Sequence, residues 1–164
     1  MFKKVSIIVI AALVLGGCNI FPGNETKTNS LDVTMGTPTQ KLVITSGNNR
    51  HEFEVEIAST DQQRKIGLMN RRFMDNNRGM LFIFNTQGYV NFWMKNTFIP
   101  LDIIYINDQS IIEHISKNAQ PCTAARDIDC QKYNSEKPVK YVLEINGGLA
   151  DEKAIRVGDK VNWL

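Results

Sequence analysis

The sequence predicts a mainly β domain of the α+β type: a small antiparallel barrel or sandwich with one α-helix packed against it. Three observations predict it. Phe53, Val55 and Ile57 alternate with Glu52, Glu54 and Glu56, the two-residue period of a strand with one wet face. The runs Met80–Phe84 and Tyr89–Met94 are apolar on both faces, as in strands covered on both sides. Only one longer stretch, beginning at Ser59, has apolar residues at helical spacing.

The elements follow in chain order. Residues 1–17 read as a signal peptide: Lys3 and Lys4 precede a run from Val5 to Leu15 broken only by Ser6. That run is far below the ~20 residues a membrane-spanning helix needs, and it suits the apolar core of a secretory signal. Leu15-Gly16-Gly17-Cys18 resembles a bacterial lipobox, in which the cysteine is lipidated and becomes the new N-terminus. Acyl chains contribute roughly 0.8 kcal/mol per buried methylene and hold a domain on a bilayer. The expected location is extracytoplasmic and membrane-anchored. Asn19 is not the Asp that marks inner-membrane retention, so an outer membrane is favoured where two are present. Residues 18–40 are rich in Asn, Thr, Ser, Gly and Pro and read as a flexible tether.

The folded domain is expected over 41–164. Leu42–Thr45 and the alternating stretch after it form a hairpin across Gly47-Asn48-Asn49. Ser59 with Gln62 fits a capping box. Ile66, Met69 and Phe73 then face the core, and Gly67 within the helix implies close backbone packing. Arg64, Arg71 and Arg72 give this region positive charge, for solvation or for an anion. After the two apolar runs, Pro100 breaks the ladder. Strands resume at Leu101–Ile106, Ser110–Ser116 and Val139–Ile145. A helical turn at Leu149–Ala154 and a short strand ending at Leu164 close the chain.

Without Lys3 and Lys4, basic and acidic residues balance at 17 each. A near-neutral chain has no broad attraction for nucleic acid. No zinc-type Cys/His spacing or phosphate-binding glycine loop is present, and no cofactor is implied. With Cys18 lipidated, Cys122 and Cys130 are two thiols in an oxidising compartment, for which a disulfide is the natural inference. A metal or redox pair is the alternative, though the spacing is not Cys-x-x-Cys.

Several stretches together resemble the bacterial and archaeal domain of unknown function 192 family. They are Gly67-Leu68-Met69-Asn70-Arg71, Gly79-Met80-Leu81-Phe82, Phe92-Trp93-Met94-Lys95-Asn96-Thr97, Ile99-Pro100-Leu101-Asp102-Ile103, Tyr141-Val142-Leu143-Glu144 and Gly158-Asp159. The resemblance covers about Leu42 to Trp163. It implies a compact β-rich domain, often behind a signal peptide, with no established activity and no catalytic residue to carry over. The Cys122 and Cys130 pair also resembles one found in many members.

A site is expected where Lys95 sits among apolar neighbours. Alternation places Trp93, Lys95 and Thr97 on one side of an extended chain, with Met94 and Asn96 on the other. Lysine is almost never fully buried unless paired. Asp102 and Glu144, carboxylates in apolar strands, are the expected partners. The arrangement is either an internal ion pair that fixes strand register, or a shallow pocket. In the pocket Trp93 and Met94 form the apolar wall, with Arg64, Lys95, Asn96, Asp102 and Glu144 as polar groups. The expected function is binding or accessory work in the cell envelope, with a small molecule or an envelope protein as partner. The alternatives are a small hydrolase using Asp102 and Glu144 as acid and base, and a structural interaction module. His51 and His114 stand in ordinary strand settings with no Ser or Cys partner in view, so no triad is indicated.

Overall fold

A computed structural model describes residues 38–163. The predicted signal peptide, Cys18 and most of the predicted tether lie outside the described residues. The elements are β1 (Thr39–Ser46), β2 (Asn49–Ala58), α1 (Asp61–Ile66), β3 (Arg78–Gly88), β4 (Asn91–Trp93), β5 (Leu101–Ile106), β6 (Ile112–Ala119), a 3-10 turn at Asp127–Asp129, β7 (Lys132–Asn134), β8 (Val139–Asn146), α2 (Leu149–Glu152) and β9 (Lys160–Trp163).

Seven strands form one sheet in the order β6-β5-β8-β3-β2-β1-β9, curled into a half-barrel. The fold is thus the β-rich α+β class that the sequence predicts. Strands β4 and β7 make a separate two-stranded sheet. The expected hairpin is present: β1 and β2 pair from Thr39↔Glu56 to Ser46↔Asn49. Gly47 turns it at φ 57°, a conformation without penalty only for glycine. Pairing is antiparallel except between β2 and β3, which run parallel. Parallel neighbours need a crossover, and the segment carrying α1 supplies it.

Both sheet faces are buried, each by its own core. One face presents Leu42, Ile44, Phe53, Val55, Leu81, Ile104, Leu143 and Ile145, closed by Leu149, Ala150 and Ile155 around α2. The other presents Met80, Phe82, Ile103, Tyr105 and Val142, covered by Leu68, Met74 and Met94. All six residues of β5 are buried, as two-sided coverage requires.

The helix differs from the expectation. The capping box lies one residue later: Thr60 accepts from the Gln63 backbone N–H, and the Gln63 side chain accepts from Thr60 N at 3.0 Å. α1 has six residues and stops because Gly67 takes φ 48°. Helical spacing therefore lapses after Ile66. Ile66 and Phe73 are exposed at 52% and 73%, while Leu68 and Met74 reach the core. Close packing at Gly67 does hold, since a Cβ there would lie 3.2 Å from Phe82 Cζ.

Cys122 and Cys130 are disulfide-bonded. The loop between them is joined to the strand opposite, where Cys122 N–H donates to the Met94 carbonyl at 2.9 Å. Closing so short a loop contributes about 2.5 kcal/mol by restricting the unfolded chain. Reduction, or Cys122→Ser with Cys130→Ser, is expected to lower Tm by about 10 °C. Thermal unfolding followed by circular dichroism, with and without reductant, checks this.

Candidate functional site

A cleft of about 40 Å³ opens on the second face of the sheet. Its floor is Phe82 and Glu144. One wall is α1 and the loop after it, from Arg64 through Gly67 to Met69. The other is Phe92, Trp93, Lys95 and Thr97. Trp93, Lys95 and Thr97 share the cleft side as expected, but not along an extended chain. The chain turns at Asn96, where Thr97 N–H donates to the Met94 carbonyl at 3.3 Å, and Phe92 lines the cleft as well. Met94 is buried behind them, 1% exposed, in the core. Asn96 does not line the cleft. It sits at φ 55° and its carbonyl accepts from Asn70 N–H at 2.7 Å, tying the two walls together.

Glu144 lies in β8 opposite Met80 of β3 and Ile103 of β5. It is only 4% exposed. Burial pushes its carboxyl up to about 8, and no neighbouring cation or hydrogen bond offsets this. At neutral pH it is therefore a neutral acid with an O–H to donate.

The expected junction of Lys95 with Asp102 and Glu144 does not form. Lys95 pairs with Asp127, which the disulfide loop carries to it. Its ammonium is 5.8 Å from the Trp93 ring centre, and Lys132 lies over the same ring at 3.8 Å. Asp102 is on the opposite face of the sheet. The register Asp102↔Ile145 and Ile103↔Glu144 makes this unavoidable, because alternate residues point opposite ways. Asp102 accepts three backbone N–H groups: Asn118 at 2.7 Å, Gly148 at 3.0 Å and Ala150 at 2.7 Å. Two of these belong to the start of α2. Asp102 is thus a buried helix cap, and it cannot act with Glu144 as an acid–base pair.

Arg64 lines the cleft, but its guanidinium is engaged. It donates to the carbonyls of Ile83 at 2.7 Å and Ser59 at 2.5 Å, and it pairs with Asp61. This clamps α1 to β3. Arg71 binds Glu56 through two contacts of 2.5 and 2.9 Å, and Arg72 lies over Phe98. The glutamate face of β2 is therefore largely ion-paired. The Arg78 guanidinium holds the half-buried Glu54 carboxyl below its usual value.

His114 does have a serine neighbour, contrary to the sequence reading. Its Nε2 is 3.3 Å from Ser116 Oγ and its Nδ1 is 3.4 Å from Glu136. Tyr105 stacks against the imidazole with ring centres 5.5 Å apart. Tyr105 in turn donates to the Tyr133 carbonyl at 2.8 Å. This chain of contacts braces edge strand β6 and lies outside the cleft.

Sequence reasoning missed Lys65, Phe82, Phe92 and the Gly67–Met69 loop as cleft residues, and Asp127 as the partner of Lys95. The closeness expected of Gly67 was the signal for the loop. Asp127 left none, because it is 32 positions from Lys95 in the chain. Among the described residues, no group of three His, Cys, Asp or Glu side chains is placed to hold a metal.

Comparison with known proteins agrees with this architecture. A protein of unknown function from Novosphingobium aromaticivorans DSM 12444 is similar in crystal structure, with a TM-score of 0.73 and 37% identity, over 79% of this chain and 89% of that one. A protein of Sinorhizobium meliloti 1021, provisionally described as a transcription regulator, is similar with a TM-score of 0.71 and 34% identity, over 77% and 95%. No curated protein matches. The family model for domain of unknown function 192, described as "Uncharacterized ACR", matches residues 42–163. The chain belongs to the domain of unknown function 192 family.

Proposed function

We propose that this chain is an extracytoplasmic lipoprotein, anchored through Cys18, whose β-rich domain binds a small molecule in the cleft between Trp93 and the Gly67 loop. The observation that carries the binding reading is Glu144: a carboxyl 4% exposed, opening on the cleft, with no hydrogen-bond partner among the described residues. Its oxygens are reached from the cleft: the buried side-chain atom left without a partner among the described residues is His51 Nε2, not one of Glu144. A ligand that accepts from Glu144 there replaces a hydrogen bond to solvent.

Two further observations support it. Stretches that carry the family resemblance, far apart in sequence, converge here: Gly67–Met69, Phe82, Phe92, Trp93, Lys95, Thr97 and Glu144 all line the cleft. Thr97, 6% exposed, adds a second buried hydroxyl-bearing wall. The Cys122–Cys130 disulfide supports the oxidising location, as does the lipobox-like run before Cys18.

The test is a thermal-shift screen of the whole chain in detergent against small sugars, amines and carboxylates. At least one class is expected to raise Tm, and Trp93→Ala is expected to erase the gain. Failure of all classes, or a gain that survives Trp93→Ala, excludes this cleft. For the anchor, labelled palmitate is expected in the native chain and not in Cys18→Ser.

A further inference from the structure

We propose that the cleft takes a small organic carboxylate head first, its oxygens accepting from the Glu144 O–H and its apolar body lying along Trp93. This rests on the cleft being a ligand site.

Charge decides between an anion and an amine. Arg64, Lys65 and Lys95 line the cleft, and Glu144 is its sole carboxyl among the described residues. Lys132 adds a fourth cation over the Trp93 ring. The acids nearby, Asp61 and Asp127, lie outward and are paired with Arg64 and Lys95. Lys65 and Lys132 make no ion pair among the described residues. An ammonium ligand would enter against this field, and a carboxylate with it.

Size decides which part of the ligand goes in. The inner space, about 40 Å³, has room for roughly the volume of a few waters, enough for a planar carboxylate head. The body must lie outside. An outer groove of about 400 Å³ shares Arg64, Lys65, Phe92 and Trp93 with the cleft and adds Phe84 and Val90. Its apolar surface suits an aliphatic or aromatic body.

Protonation then becomes part of recognition. The groups around Glu144 are Tyr105 and Ile103 from β5, Met80 and Phe82 from β3, Lys95 and Thr97 from the facing segment, and Arg64 and Lys65 from α1. None of these pulls its carboxyl toward ionisation. Once Glu144 loses its proton it repels the ligand it had held, so affinity falls as pH rises through about 8.

The test uses the whole chain in detergent, labelled with 5-fluorotryptophan, with Trp93 and Trp163 assigned through Trp163→Phe. Benzoate, benzylammonium and benzyl alcohol are close in shape and differ in charge. Benzoate is expected to shift the Trp93 signal saturably near about pH 6.5 and to weaken roughly tenfold per pH unit above about 8. Glu144→Gln keeps an N–H donor and is expected to bind benzoate equally well at both ends of the range. Lys65→Ala, an exposed change that leaves the fold alone, is expected to weaken benzoate several-fold at every pH. If benzylammonium or benzyl alcohol matches benzoate, or if benzoate binding ignores pH, the carboxylate assignment is overturned and the cleft reading stands. If none of the three moves the Trp93 signal, both fall.

Discussion

Asp102→Ala is expected to destabilise the domain by about 3–5 kcal/mol, the largest loss from any single polar side chain in it. Three backbone N–H groups, from Asn118, Gly148 and Ala150, converge on this carboxylate within 3.0 Å. Asp102 is fully buried. Hydrogen bonds to a charged group contribute about 1.5–3 kcal/mol each, and a buried donor left alone costs about 1–3 kcal/mol. Alanine removes all three acceptor contacts at once. It also uncaps α2, whose Leu149 and Ala150 close the first core. For a domain of this size the loss corresponds to a fall in Tm of about 10–20 °C. Asp102→Asn, which keeps one acceptor oxygen, is expected to lose less. Urea unfolding followed by circular dichroism measures both. A loss under ~1 kcal/mol for Asp102→Ala would mean that water replaces the carboxylate at no penalty, and that the start of α2 is not sealed.

Glu144→Gln is expected to do the reverse. In the unfolded chain this carboxyl ionises near about 4.3, the ordinary glutamate value. In the folded domain burial pushes it up to about 8. Between those values the native state holds a proton that the unfolded chain has released. Stability therefore falls as pH rises through this window and levels off above it. At ~1.4 kcal/mol per unit, the accumulated penalty near pH 8 is about 3–5 kcal/mol. Glutamine has nearly the same shape and never ionises. It is expected to match the native chain near about pH 4.5 and to exceed it by about 3 kcal/mol near about pH 8. Urea unfolding of both chains at the two pH values gives the comparison. Equal stability at both would show that Glu144 is ionised and solvated in the folded protein. A residue that costs the domain this much is the pattern of a functional position, where stability is traded for chemistry.

Much of the fold was legible because the signals were local. Alternation in Phe53–Ile57 gave β2, two-sided apolarity gave β3, and Gly47 gave the hairpin turn. The same two-sided reading failed for Tyr89–Met94, where Tyr89 is exposed and β4 lies in the small separate sheet with only Met94 fully buried. The shared side of Trp93, Lys95 and Thr97 was legible, but the turn at Asn96 was not. What failed was whatever depends on how distant strands register. Asp102 and Glu144 both read as carboxylates in apolar strands. Only the β5–β8 pairing shows that one points into each core. Lys95 needed a partner, as burial requires, but the partner came from a polar loop whose path is set by a disulfide. The helix was over-read because Ile66, Met69 and Phe73 keep helical spacing past Gly67, a residue that allows the chain to turn aside. The parallel step from β2 to β3 follows from that same crossover, and no pattern of apolar residues distinguishes it from an antiparallel one.

Asp127 meets Lys95 only because a covalent ring, closed between Cys122 and Cys130, presents it there. A newly made chain in a reducing environment has no such ring. Cys122 packs against the rim of the second core and Cys130 is itself buried, so without the ring that rim loosens and the lysine beside the indole is no longer held. The covalent ring is therefore what fastens the lip of the groove.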